Sequence, residues 1–347
     1  MAGVRERPRG LFVGLCVLDV VQLVDHVPGA NEKLTARAQL VTAGGPAANA
    51  AVTFAHLGGA ATLLTAIGGH PLGAVVTADL DLMGVRVVDL AGGSTAPPAV
   101  SSVLVTASSG DRAVASTNAT AYRIAPPEGL DALVADHDVV EFDGHHLELA
   151  VAAARAARAA GRRTVLDGGS WKAGTQRLLP SIDVAVCSDD FRPPGAHGPA
   201  DAHGSAGAHG SAGAHGSAGA HGSAGAHGSA GAHGSAGAHG PAGVAGGTAA
   251  DTLRFLRDHG VTWSAVSRGG QPLVWAGPGS GGTVDVPAVR VADTLGAGDV
   301  LHGALAHRLA PLDDLTARGF AEALRAAAVV ASRACASFGT RAWMRDT

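Results

Sequence analysis

Asp293-Thr294-Leu295-Gly296-Ala297-Gly298-Asp299 runs straight into the apolar stretch 300–309. A glycine-rich turn at a helix N-terminus leaves backbone N–H groups pointing outward with the helix dipole behind them. That arrangement favours a bound phosphate or a developing phosphoryl charge. Asp299 falls in the first turn, beside the place where such an anion would rest. A carboxylate there can take a proton from an accepting hydroxyl, because phosphoryl transfer mainly requires positioning and charge stabilisation. The competing reading of the same residues is purely local, with Asp299 capping the helix and the glycines shaping a tight turn.

A second glycine signal lies near the other end, in Gly44-Gly45-Pro46-Ala47-Ala48-Asn49. Proline in the first turn and Gly58-Gly59 beyond the apolar run predict a helix between them. Two glycines let the backbone approach a ligand closely, and Asn49, one turn into the helix, can hydrogen-bond a polyol. This is not the GxGxxG dinucleotide fingerprint, and no GxxxxGK stretch occurs in the chain. Lys33 and Lys172 are the only lysines, so phosphate binding falls to backbone amides or arginine.

Between these motifs, strand and helix patterns alternate. Residues 11–17 read as a buried central strand delivering Asp19 to its C-terminal edge, followed by a strand at 61–67, a helix at 73–83 and a strand at 86–90. The alternation breaks at 99–117, where two short strands flank Ser108-Ser109-Gly110-Asp111 and predict a hairpin set apart as a flap. It then resumes with strand 139–142, helix 148–160, strand 164–166 ending at Asp167, and strand 183–187. Helix 249–258, strands 263–267, 273–275 and 283–286, and helices 297–309 and 315–334 complete the chain. Such alternation implies βαβ units and a mostly parallel sheet in an α/β fold. Asp167 at a strand end reads either as a site residue or as a turn cap. His145 and His146 read as cleft residues or as an ordinary loop. Trp343 reads as a packing anchor, and Asp293 as a residue that fixes its loop.

Composition narrows the partners. Hydrophobic residues make up 46 % of the 347, but aromatics only 3 %, so the core is built from Ala, Val and Leu. The formal net charge is -4 with no Lys/Arg stripe, which argues against nucleic acid and anionic membranes. Cys16, Cys187 and Cys335 show no CxxC spacing, as expected of a reduced cytoplasmic protein. Arg5 to Arg9 and the following apolar residues resemble a secretion signal. Gly14, Asp19, Gln22 and Asp25 interrupt that run, and no stretch reaches the roughly 18 to 20 apolar residues of a membrane span. From 203 to 238 the hexapeptide His-Gly-Ser-Ala-Gly-Ala occurs in six copies, with imperfect copies at His197 and His239. The region 192–247 is therefore expected to be a disordered insertion, with a His-rich metal-buffering tract for nickel or zinc as the rival reading.

The GG motif and the DTLGAGD motif, in this order and at these positions, make the chain resemble the ribokinase/PfkB family of carbohydrate kinases over nearly its whole length apart from the repeat. Residues 13–20 with Leu23-Val24-Asp25 look like the start of the ketohexokinase branch. Residues 44–48 and 299–305 look like the bacterial sulfofructose kinase branch. The resemblance implies one ribokinase-like domain over 1–347: a three-layer α/β/α core and a small β-sheet lid formed by about 19–40 and 97–120. It implies transfer from ATP with Mg2+ to a hydroxymethyl group of a sugar, and a monovalent cation held by carbonyls near Asp293. By motif position Asp299 is the base, and Gly296, Ala297 and Gly298 form the anion hole. Asp19, Gly44, Gly45 and Asn49 hold the sugar, and Arg112 reaches the transferring phosphate. Ser267, Gly269, Gly270, Thr294 and Gly339 border the nucleotide, and the lid strands pair two chains into a homodimer. Three positions depart from the family pattern. Pro46 replaces a polar residue after GG, Pro272 stands where a glycine is usual, and Cys187-Ser188-Asp189-Asp190-Phe191 replaces an NxxE magnesium motif, with Asp189 as the substitute. The alternatives are a nucleoside kinase of the same fold, which would need an aromatic-lined base pocket, and a non-catalytic binding protein carrying a metal-binding tract.

Overall fold

In the computed structural model, residues 7–118, 122–194 and 248–345 are described. The hexapeptide repeat, expected to be a disordered insertion, lies outside them.

Among the described residues, thirteen strands form two sheets. The larger is built from β1 (Arg9–Val13), β4 (Ala60–Thr65), β5 (Val85–Asp89), β8 (Val139–Phe142), β9 (Arg163–Gly168), β10 (Val184–Ser188), β11 (Trp263–Arg268), β12 (Gln271–Gly277) and β13 (Ser280–Val284). Its order is β13-β12-β11-β10-β9-β8-β1-β4-β5. The seven strands from β11 to β5 pair in parallel, and β12 and β13 add an antiparallel edge. The smaller sheet, β3-β2-β6-β7, contains β2 (Val17–Val24), β3 (Ala38–Gly44), β6 (Val100–Thr106) and β7 (Arg112–Ser116). The 99–117 flap is thus a hairpin in a separate sheet.

Alternation along the central strands sorts side chains into two cores, as the period-two geometry of a strand requires. Phe12 of β1 joins Phe54, Leu63, Leu305 and Phe320 on one face. Its neighbours Leu11 and Val13 join Phe142, Leu149 and Leu166 on the other. The first face is covered by α1 (Pro46–His56), α6 (Ala297–Leu309) and α7 (Ala317–Ala334), the second by α4 (Leu147–Ala159) with the short α3 (Leu130–Ala135). The core is built on small aliphatic side chains, as the composition implies. The two helices that carry the motifs, α1 and α6, cross very closely. A Cβ at Gly303 would come within 2.3 Å of the Ala50 carbonyl, so only glycine permits that approach. This crossing sets Asn49 beside Asp299.

The apolar run expected as a single strand at 11–17 is two strands. β1 ends at Val13, and the chain leaves the large sheet where the Asp143 carboxylate captures the Leu15 N–H at 2.8 Å. Cys16 and Val17 are buried as they enter the small sheet, so hydrophobicity alone does not reveal the break. Asp19 consequently sits within β2, opposite Thr42 and Ser101, and not at the edge of the large sheet. The short helix α3 spans six residues, with Leu130 and Val134 buried on one face.

Candidate active site

The site assembles at the C-terminal edge of the parallel strands, where βα loops meet helix N-termini and open α/β sheets bind ligands. The GG corner is shaped by contacts that exclude side chains. A Cβ at Gly44 would lie 1.9 Å from Asp19 Oδ2, and one at Gly45 would lie 2.5 Å from the Leu15 carbonyl. Gly45 also takes φ +97°, a conformation open chiefly to glycine, and from there starts α1. Burial raises the Asp19 carboxyl to about 6, against a hydrogen bond from Ser101 that lowers it. Asp19 also borders a cavity of about 550 Å³ whose walls include Leu40, Leu295, Phe338 and Arg341.

Facing this corner is the start of α6. Gly296 is its N-cap in the left-handed region at φ +70°, and no side chain caps the helix. The rival local reading of Asp299 as the cap is therefore set aside. Asp299 instead lies inside the first turn and accepts a hydrogen bond from Asn49 Nδ2 at 2.8 Å. Asn49 Oδ1 is buried with no partner among the described residues. Burial raises the Asp299 carboxyl to about 7, and the negative charge of Asp167 adds to the rise, while the Asn49 hydrogen bond opposes it. A Cβ at Gly298 would meet nothing within 4 Å, so the first turn opens onto free space. An uncapped helix start beside open space and a carboxylate fits an oxyanion and the hydroxyl that attacks it.

The rest of the 293–299 loop is braced from two sides. Asp293 Oδ1 accepts from the Leu295 N–H at 2.8 Å and Oδ2 from the Gly339 N–H at 2.9 Å, so it fixes the loop as its position suggested. Gly339, at φ +85°, thereby belongs to the same assembly. Arg112, at the start of β7, donates from Nη1 to Thr294 Oγ1 at 2.9 Å. The small sheet therefore touches the loop that carries Asp299. Ser267 at the end of β11, the Gly269-Gly270 turn that follows, and Asp189 after β10 form a separate group. The Asp189 N–H donates to the Ser267 carbonyl at 3.1 Å, its side chain is exposed, and Cβ atoms at Gly269 or Gly270 would meet nothing within 4 Å. No hydrogen bond or ion pair links this group to Asp299 among the described residues, where Asp299 is bonded by Asn49. Nor, among those residues, does any group of three or more His, Cys, Asp or Glu side chains have the arrangement to hold a metal.

Several residues of the site carried little sequence signal. Asp143, after β8, is wholly buried. Its Oδ2 accepts from the N–H groups of Leu15 at 2.8 Å and Ala47 at 3.2 Å, and its Oδ1 from that of His145 at 2.8 Å. The charge of His145 and these bonds outweigh burial and hold its carboxyl well below the usual range. It thus ties the β1 loop to the GG helix. Asp167 stands at a true strand end, 3.3 Å from His302 Nδ1, and His302 also reaches the carbonyls of Gly298 and Val186 at 2.7 and 2.9 Å. The signal for Asp143 was available, since it follows a buried strand just as Asp167 does. Nothing in the sequence marks His302 or the half-buried Lys172, which approaches Asp143 from the loop after β9.

Known proteins share this architecture. Ribokinase from Giardia lamblia superposes with a TM-score of 0.71 at 16 % identity, covering 97 % of this chain and 96 % of that one. Arabidopsis thaliana ribokinase, solved with ribose and ATP, gives 0.66 at 18 % identity over 98 % and 99 % of the two chains. Fructokinase from Xylella fastidiosa with bound ATP gives 0.65 at 19 % over 97 % and 94 %. The family model for pfkB family carbohydrate kinases matches residues 9–190 and 237–347. With the two motifs brought together across α1 and α6 and the match spanning both ends of the chain, this protein belongs to the pfkB family of carbohydrate kinases.

Proposed function

We propose that this carbohydrate kinase transfers a phosphoryl group from ATP to a hydroxymethyl group of a sugar, with Asp299 as the general base. The observation that carries the reading is the placement of Asp299: a carboxylate raised to about 7, in the first turn of an uncapped helix, hydrogen-bonded by the GG helix. A base with a pKa near working pH holds little charge penalty when it accepts a proton. ATP with Mg2+ supplies the phosphoryl group and part of the neutralising charge. The neighbouring structures with ribose and ATP, or ATP alone, support this choice of donor.

The protein's own residues do the rest. Asp19 and Asn49 Oδ1 orient the acceptor, while the glycines at 44 and 45 let it approach the backbone. Gly296, Ala297 and Gly298 present the first-turn amides to the transferring group. Arg112, now on Thr294, needs only a side-chain rotation to meet a phosphate. Ser267, Gly269, Gly270, Thr294 and Gly339 line the path of the nucleotide. Asp189 offers an exposed hard-oxygen ligand suited to Mg2+, and the carbonyls braced by Asp293 suit a monovalent cation. The small sheet acts as a lid that excludes water, the competing acceptor. It exposes Val41 and Val114, apolar surface that a second copy would cover in a homodimer. Three free cysteines suit the cytoplasm. No helix of the described residues is long and apolar enough to cross a membrane.

A coupled ADP-release assay with Mg-ATP against ketoses, aldoses, sugar acids and nucleosides tests the reading. Asp299→Asn is expected to fold, to bind ATP and to lose about 10²- to 10⁴-fold in turnover. Near-normal turnover would remove Asp299 from its role.

A further inference from the structure

His302 lies on the buried side of α6, one turn past Asp299, and is 3 % exposed. Its Nδ1 stands 2.7 Å from the Gly298 carbonyl and 3.3 Å from Asp167 Oδ2, and its Nε2 stands 2.9 Å from the Val186 carbonyl in β10. A backbone carbonyl only accepts, so each ring nitrogen must donate, and a neutral imidazole has one N–H to give. With a single proton, a ring lone pair would face a carbonyl lone pair at hydrogen-bond distance. His137 shows the ordinary arrangement. Its Nδ1 also meets a carbonyl one turn back, that of Leu133 at 2.7 Å, but its Nε2 meets the Thr62 hydroxyl at 3.0 Å, and a hydroxyl can donate. One ring proton satisfies His137, whereas His302 needs two.

The Gly298 carbonyl belongs to the peptide that carries the Asp299 N–H. That N–H precedes the hydrogen bond that opens the helix, from Val300 to the Gly296 carbonyl at 2.9 Å. A cation donating to the Gly298 carbonyl polarises this peptide and strengthens the N–H at its other end, since hydrogen bonds in series reinforce one another. The ionisable groups around the ring favour a cation there. Glu141 in β8 is wholly buried, with both oxygens unpartnered among the described residues. Burial and the charges of Asp167, Asp143 and Asp299 push its carboxyl well above the usual range, so it stays neutral. The Cys187 thiol, beside Val186, is likewise raised by burial and stays neutral. Burial also raises Asp167 and Asp299, and the charge of His302 opposes the rise in both. At Asp167 the charges of Lys172 and His145 oppose it less.

We propose that His302 is a positioning residue that carries both ring protons, tying the first turn of α6 to β10 and setting a positive charge behind the amides that receive the transferring phosphoryl group. The proposal rests on the kinase reading of Asp299 above and deepens it.

Nitrogen-15 NMR of the whole protein, with the His302 ring assigned through its backbone, reads both nitrogens without any variant. At neutral pH, two protonated ring nitrogens are expected at His302 and one at His137. His302→Gln keeps a neutral donor, so its kinetics isolate the charge. With saturating Mg-ATP and the best acceptor of the panel above, kcat should fall about 10- to 100-fold, the size of a charge-assisted hydrogen bond, while the KM for that acceptor is unchanged. The acidic limb of kcat/KM, expected near the Asp299 value of about 7, should move to higher pH, because Asp299 loses a cation that eases its ionisation. A single protonated nitrogen at His302 would overturn the proposal whatever the variant does. Wild-type kcat in His302→Gln would overturn it too, as would lost activity with an unmoved limb, which would leave His302 a packing residue. If no acceptor turns over, the kinase reading fails, and the NMR decides alone. Two protonated nitrogens then keep the charge behind α6, and one removes it.

Discussion

The two walls of the cleft are built on opposite uses of glycine. On the acceptor wall, glycines are present because the protein fills the space itself. A Cβ at Gly14 would fall 2.2 Å from the Asp143 carboxyl, and one at Gly44 would fall 1.9 Å from that of Asp19. On the opposite wall, a Cβ at Gly298 would meet nothing within 4 Å. The first wall is filled by the protein itself, with Asp143 held by three backbone N–H groups and Asp19 by the Ser101 side chain. The second leaves the start of α6 facing open space. Gly14 and Gly44 thus serve the packing of the fold, whereas Gly298 leaves room beside the start of α6.

That contrast can be broken by adding a single methyl group to each side. Gly44→Ala should carry the larger cost, because Asp19 must move from a packed site. Overpacking of this kind costs about 1–3 kcal/mol, visible as a lower midpoint in urea unfolding, and displacement of Asp19 should abolish most turnover. Unchanged stability would mean that the Asp19 carboxylate is free to swing away. Gly298→Ala should do the reverse. Its stability should be unchanged or higher, since alanine is favoured over glycine in a helix by up to about 1 kcal/mol, while the KM for ATP rises because the methyl enters the phosphate's place. A variant with wild-type kinetics would move the anion site away from the first turn of α6.

The same contrast sets what was legible in the sequence. The open wall is written in contiguous residues, so 293–299 and its helix could be read with the right bounds, and α6 spans Ala297–Leu309 as its apolar pattern predicts. The acceptor wall is not contiguous. Asp143 meets the Leu15 and Ala47 N–H groups, and Asn49 meets Asp299, only after β1 and β8 are aligned and α1 is pressed onto α6. Periodicity located the strands but could not state that a carboxylate after one would cap the loop after another. Asp19 was identified as a site residue, yet on the wrong strand, because the run from Leu11 to Val17 stays buried across a change of sheet. The pairing of Asn49 with Asp299 joins residues 250 positions apart, which no local pattern can state.

The smallest expected effect is the sharpest test of how the two walls communicate, because it predicts opposite signs. Asp299 is raised to about 7 by burial and by the charge of Asp167, and is lowered by the Asn49 hydrogen bond. A base must be deprotonated to act, so kcat/KM should rise with pH through an acidic limb near 7. Asn49→Ala removes a donor that stabilises the carboxylate form. The acidic limb should therefore move to higher pH, by about one pH unit for a charge-assisted hydrogen bond. Asp167→Asn removes a like charge, which eases ionisation of Asp299 and moves the limb to lower pH. Profiles of kcat/KM measured from pH 5 to 9 separate the cases. Shifts of opposite sign place the base between the GG helix and β9, whereas two variants sharing one unshifted limb would mean that the titrating group is not Asp299.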